Sequence, residues 1–171
     1  MMSKRTVLTG IIALLVAAGA ATAQIDLSAK DTIKYLQGSW VTEYEFPGMG
    51  TVREEATYSP GEEANTLKVE FKVFSGGQQI DSGEGTVKYD PATNTISSAT
   101  KSETTGAVYE SHEVGREGAV TWMEGTSKDP MMARYRIRIV ADSKSAHTWT
   151  MYMPVGDGWK ELLTCTYTRT K

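Results

Sequence analysis

Hydrophobic and polar residues alternate along most of the chain after residue 38. In the segment 66–74, Leu67, Val69 and Phe71 occupy every second position and charged residues stand between them. Successive side chains of a strand point to opposite faces, so this pattern predicts a strand with one buried face and one wet face. The segment 131–141 repeats the pattern with arginines as the intervening residues.

Ten segments share this character, and short stretches rich in glycine, proline, asparagine and aspartate separate them. The predicted strands are 39–46, 51–59, 66–74, 79–89, 95–102, 107–114, 118–126, 131–141, 146–154 and 159–169. Such connections reverse the chain tightly, so neighbouring strands should pair antiparallel in a meander. Closure buries the apolar face and removes exposed edges, which favours an all-β, up-and-down barrel over a sandwich.

One short helix is predicted ahead of the strands, over residues 28–37. Ser28 can cap its first turn, Asp31 follows three residues later, and Gly38 can end it. Ile33 and Leu36 form its apolar side. Such a helix could cover one end of a barrel.

Residues 1–23 have the parts of a cleaved signal peptide. Lys4 and Arg5 make a basic start, an apolar run covers 7–21, and Ala21-Thr22-Ala23 is a small-x-small cleavage site. The alternative is an uncleaved anchor, but a run of about 15 residues is short for a membrane span. We expect export, to the periplasm or outside the cell.

Residues 24–171 then form one domain, since this part contains no linker, repeat or second apolar span. The net charge of the whole chain is −3, and loss of Lys4 and Arg5 makes the domain more acidic. A net negative charge repels the phosphates of nucleic acid and of an anionic membrane, so we expect neither as a partner. The single Cys165 lies in a predicted strand, where a buried, unreactive thiol is expected.

Several motifs together resemble one family. They are LQGSW at 36–40, FPGMG at 46–50, YDPATN at 89–94, AHTWTMY at 146–152 and TYTR at 166–169. In order and spacing they are similar to a family of bacterial secreted lipocalin-like proteins, domain of unknown function 1579. The resemblance covers nearly all of the domain and implies a calycin-type barrel, with no established reaction.

The resemblance also implies a structural role for three residues. Lipocalins and fatty-acid-binding barrels close one end with a tryptophan of the first strand and an arginine of the last. Gly38, Trp40 and Arg169 are the matching positions here. A guanidinium over an indole face gains a cation–π contact and keeps its donors for backbone carbonyls.

Assigning the inward faces by apolar parity predicts a mixed interior. The candidate ligand-binding residues are Trp122, Tyr135, Trp149 and Met151. Polar residues of the same parity are Glu54, Glu110, His112, Glu124, His147 and Glu161. Unpaired carboxylates are costly in a sealed apolar core, which favours a partly hydrated cavity. We therefore expect a module that binds a small apolar or amphipathic molecule.

Three alternatives stay open. Small barrels that resemble nitrobindin bind haem through one histidine, and His112 or His147 could be that ligand. An enzyme could use the same cavity, although the chain has no nucleophile motif and we expect a binding protein without metal or cofactor. The third alternative is an envelope protein whose barrel is filled by side chains.

The strongest charge pattern is the arginine stripe, which we define as Arg134, Arg136 and Arg138. All three fall on one strand face. On the outer face they would pair with glutamates of adjacent strands. On the inner face they would form an anion-binding interior.

Overall fold

A computed structural model describes residues 23–46, 48–128 and 132–170. The predicted signal peptide lies outside this part, apart from Ala23. The elements are α1 (Ala29–Leu36), β1 (Gly38–Phe46), β2 (Gly50–Pro60), β3 (Thr66–Ser75), β4 (Gln78–Asp90), β5 (Thr95–Ser102), β6 (Val108–Glu117), β7 (Val120–Ser127), β8 (Arg134–Ser143), β9 (Ala146–Val155) and β10 (Gly158–Arg169).

The ten strands form one closed antiparallel barrel, which confirms the predicted fold. Each strand pairs with its neighbours along the chain, and β1 pairs with β10 to close the sheet. The predicted strands and the observed ones agree to within a few residues at their ends. The alternation of apolar and polar residues accordingly divides most side chains between a barrel interior and an outer surface.

The closing seam is much shorter than the other ladders. Between β1 and β10 only Trp40↔Arg169 and Val41↔Thr168 pair, whereas every other ladder has five to ten pairs. Beyond Val41 the described residues of the two strands form no further ladder pairs across the seam. The barrel wall is therefore least continuous there, beside interior residues such as Tyr44 and Leu163.

The helix α1 lies across one end of the barrel. Its cap is the predicted one: the Asp31 amide donates to Ser28 Oγ at 3.0 Å, and Ser28 Oγ donates to the Asp31 carboxylate at 2.7 Å. Its buried side, which includes Ile33 and Leu36, packs on strand residues of the same core: Leu67, Val87 and Ile96. Within the described ranges no helix is long and apolar enough to cross a membrane.

Candidate functional site

The barrel encloses a cavity of about 420 Å³. Side chains of one parity from the strands form its wall, and Leu36 of α1 contributes at the covered end. Most of the wall is apolar, and examples from different strands are Val69, Phe71, Val87, Met123 and Ile137. This volume lies within the range of about 300–1,000 Å³ that is usual for small-molecule sites.

Trp40 and Arg169 bind the end of α1 to the barrel. Trp40 Nε1 donates to the Leu36 carbonyl at 2.7 Å, and Arg169 donates to the carbonyls of Tyr35, at 2.5 Å, and of Gln37. Such carbonyls at the end of a helix have no partner inside it. The Arg169 guanidinium also lies 4.2 Å from the centre of the Trp40 ring. The pair thus satisfies the helix end and seals this pole.

Gly38 is needed where the chain passes from α1 into β1. Its φ of +112° is a conformation that side chains with a Cβ rarely adopt. A Cβ here would also lie 2.7 Å from Arg169 Nη1. Glycine therefore permits both the turn and the close approach of the arginine.

Three of the four candidate ligand-binding residues line the cavity. Tyr135, Trp149 and Met151 all contribute to its wall. The Tyr135 hydroxyl donates to the Glu110 carbonyl at 3.0 Å, which fixes the ring. The ring fits because Gly125 stands opposite it, where a Cβ would lie 2.3 Å from Tyr135 Cζ. The site thus has a rigid aromatic wall with its polar tip already bonded.

Trp122 lies on the outer surface, which corrects its predicted inward placement. Its neighbour Met123 takes the interior position instead. The Trp122 ring packs on Tyr152, with centroids 5.8 Å apart, and under the guanidinium groups of Arg136 and Arg138. An indole covered by these groups is shielded from water without entering the core. Apolar parity alone therefore assigned the wrong face of β7.

The arginine stripe also lies on the outer face. Arg136 is 4.6 Å from the centre of the Trp159 ring, and its Nε donates to Glu124 at 3.0 Å. A register shift between Glu161 and Leu163 turns Trp159 outward, opposite to its apolar parity. The stripe therefore forms a layer of alternating guanidinium and indole groups on the surface, and the interior anion site is ruled out.

Glu54 is the carboxylate that faces the cavity. It lies opposite Thr42 of β1 and Val73 of β3, and its partly buried side chain lines the wall. Burial raises the pKa of this carboxyl, while a hydrogen bond from the Tyr167 hydroxyl acts in the opposite direction. The sequence analysis does not single out Tyr58, which lines the cavity beside Glu54. Its position four residues later, with the same parity, is the signal that could find it.

His147 is buried among aromatic rings at the covered end of the cavity. Its ring stacks on Tyr167 with centroids 5.1 Å apart and meets the edge of Trp40 at 4.6 Å. Burial lowers its pKa from 6.5 to about 4, with Arg169 as the second cause. The imidazole is therefore neutral at pH 7. Its Nδ1 is buried and has no hydrogen-bond partner among the described residues.

The other polar residues of the predicted interior do not reach the cavity. Glu124 pairs with Arg136 on the outer face, and Glu110, His112 and Glu161 are exposed. His112 therefore cannot ligate a group inside the barrel. The hypothesis of a haem ligand is left to His147, where it stays a prediction.

Cys165 lines the cavity as a protonated thiol. Burial raises its pKa to about 11, so it is a poor nucleophile at neutral pH. Over the described ranges, no three His, Cys, Asp or Glu side chains are close enough together to hold a metal ion. Glu54 and His147 are thus the acidic and the basic side chain among the described residues of the cavity wall.

Among the solved structures to which the barrel is similar is that of S-type phycobiliprotein lyase CPES from Guillardia theta. The TM-score is 0.55 and the sequence identity is 12%, with 85% of this chain and 94% of that chain covered. No protein-family model and no curated protein matches the chain. The comparison supports the lipocalin-like fold, and membership of the family of unknown function 1579 stays a prediction.

Proposed function

We propose that this protein binds a small apolar or amphipathic molecule inside its barrel. The cavity of about 420 Å³ behind a mostly apolar wall carries the proposal. A barrel filled by its own side chains would not retain a space of this size, because protein interiors are close-packed. Tyr135, Trp149 and Met151 provide the flat and deformable surfaces that such a ligand packs on.

The sealed end of the barrel supports the same function. Trp40, Arg169 and α1 seal one pole through hydrogen bonds that leave the interior wall free. One solved structure with a similar fold is that of a phycobiliprotein lyase, and this likeness supports the use of the barrel as a frame for a ligand. The buried thiol of Cys165 argues for binding rather than nucleophilic chemistry.

Binding can be tested with the neutral fluorescent probe N-phenyl-1-naphthylamine. The two tryptophans on opposite faces of the wall give a matched pair of substitutions. Trp149→Leu alters the cavity wall, and Trp122→Leu alters only the outer surface. We expect saturable binding to the wild type, about tenfold weaker binding to Trp149→Leu, which corresponds to about 1.4 kcal/mol, and no change for Trp122→Leu.

Absence of saturable binding would overturn the proposal, and so would a loss in Trp122→Leu without one in Trp149→Leu. Independently of the probe, native mass spectrometry of the freshly purified protein gives the mass of any natural ligand that remains bound. A visible absorbance scan of the same sample tests the haem alternative at His147. A haem Soret band would replace the apolar ligand by haem.

We also propose that the protein works outside the cytoplasm. The basic start, apolar run and Ala21-Thr22-Ala23 motif support export with cleavage before Gln24. Expression of the full chain in a Gram-negative host, followed by intact-mass measurement of the periplasmic fraction, tests this. A protein that starts at Gln24 is expected, and an uncleaved cytoplasmic product would contradict it.

A further inference from the structure

We propose that the ligand of this cavity is an amphipathic amine, whose apolar body fills the barrel and whose nitrogen head group pairs with Glu54. This inference rests on the proposed function and specifies the chemical class of the ligand. It differs from the binding of fatty acids, because it requires a donor or a positive charge at the polar end.

Glu54 has hydrogen-bond acceptor capacity that its one described side-chain partner does not use. Glu54 receives a hydrogen bond from the Tyr167 hydroxyl, but two carboxylate oxygens can accept about four. His147, which stacks on Tyr167, has a buried Nδ1 that lacks a partner in the described part of the protein. An ammonium or secondary amine brings donors that the Glu54 carboxylate can accept.

The charge of the wall favours the same class. Among the described residues that line the cavity there is no lysine or arginine. Asp81, which pairs with Val73 across from Glu54, adds a second carboxylate nearby and contributes to the electrostatics of Glu54. A carboxylate ligand would lose its hydration here without gaining a countercharge, whereas a cation would gain one.

The burial of Glu54 makes the pairing specific. Burial raises the pKa of this carboxyl, and the described wall holds no countercharge for its ionised form. A ligand ammonium beside Glu54 would supply it in a site of low dielectric, where charge pairs are stronger than in water. The aromatic rings of Tyr44 and Tyr58, on the same wall, can surround the head group.

Three probes with the same alkyl chain separate the head groups: decylamine, decanol and decanoic acid. Each is titrated at neutral pH, below its micelle concentration, against protein loaded with N-phenyl-1-naphthylamine. We expect decylamine to bind most tightly, decanol next, and decanoate at least about tenfold more weakly than decylamine. Glu54→Gln should bring decylamine and decanol within about threefold of each other.

Glu55→Gln is the matched control. It makes the same change one residue along β2, on the outer face, where Glu55 pairs with Arg53. Because both variants replace a glutamate of β2 by its neutral isostere, only an effect confined to Glu54→Gln identifies the interior carboxyl. Binding of N-phenyl-1-naphthylamine by Glu54→Gln checks that this variant is folded, and the wild-type ranking decides if it is not.

The outcomes are distinguishable. If the naphthylamine does not bind saturably, the proposed function itself fails. If decanoate binds as tightly as decylamine, the cavity still binds small molecules but the amine inference is overturned. An amine preference that survives Glu54→Gln would show that Glu54 is not the anchor.

Discussion

His147 should make the stability of this protein depend on pH. Its pKa lies near 4 in the folded chain instead of 6.5, because burial and Arg169 both disfavour the charged imidazolium. The unfolded state therefore binds the proton first as the pH falls. Stability from this residue is complete above about pH 6.5 and is lost progressively down to about pH 4.

The magnitude follows from the same two pKa values. A difference of one bound proton changes the free energy of unfolding by about 1.4 kcal/mol per pH unit. As the pH falls from 6.5 to about 4, the titration of His147 should lower the free energy of unfolding by about 3 kcal/mol. Glu54 acts in the opposite sense, because its raised pKa gives stability that is lost as pH rises. The wild-type curve alone is therefore not diagnostic.

The difference between wild type and His147→Gln isolates the effect. Urea unfolding at several pH values from about 7 to about 4 gives that difference, and the packing cost of the substitution does not depend on pH. On acidification from about pH 7 to about pH 4, we expect the free energy of unfolding of the variant to rise by about 3 kcal/mol relative to that of the wild type. His112→Gln, which replaces an exposed histidine of β6, is the matched control for the loss of an imidazole. A constant difference for His147→Gln would refute the reasoning.

Three further predictions concern the sealed pole and the thiol. Arg169→Met should lower the free energy of unfolding by about 2–3 kcal/mol in urea titration, since carbonyls at the end of α1 lose a charged donor; Arg169→Lys should recover less than half. Gly38→Ala should lower the free energy of unfolding by about 1–3 kcal/mol. The control Gly76→Ala should cost less, because φ there is +56° and nothing lies within 4 Å of an added Cβ. Equal losses of stability in the two variants would contradict the close approach of Arg169 to Gly38. Cys165 should react with a thiol reagent about 100-fold more slowly in the folded protein than in urea. Equal reaction rates would contradict the burial of this thiol.

Local features of the sequence were enough to predict the strands, the capped helix and the meander. Alternation in 66–74 is a property of the strand itself, and Ser28 and Asp31 form their cap within one turn. Closure followed from the need to bury one face of many short strands. The placement of Trp40 and Arg169 together came from a resemblance, and their shared contact with the end of α1 is a tertiary fact.

Local patterns did not predict correctly which face of every strand points into the barrel. Trp122 and Trp159 are large apolar residues of the kind found in cores, yet both lie on the outer face. The arginine stripe covers both rings, and a bulge in β10 changes the face to which Trp159 points. Glu54 and Glu124 are indistinguishable by type and parity, but only Glu54 meets the cavity. The sequence by itself determined that one face of each strand would be buried. Only the tertiary structure decided which face, because bulges and partners on adjacent strands set the side to which each residue points.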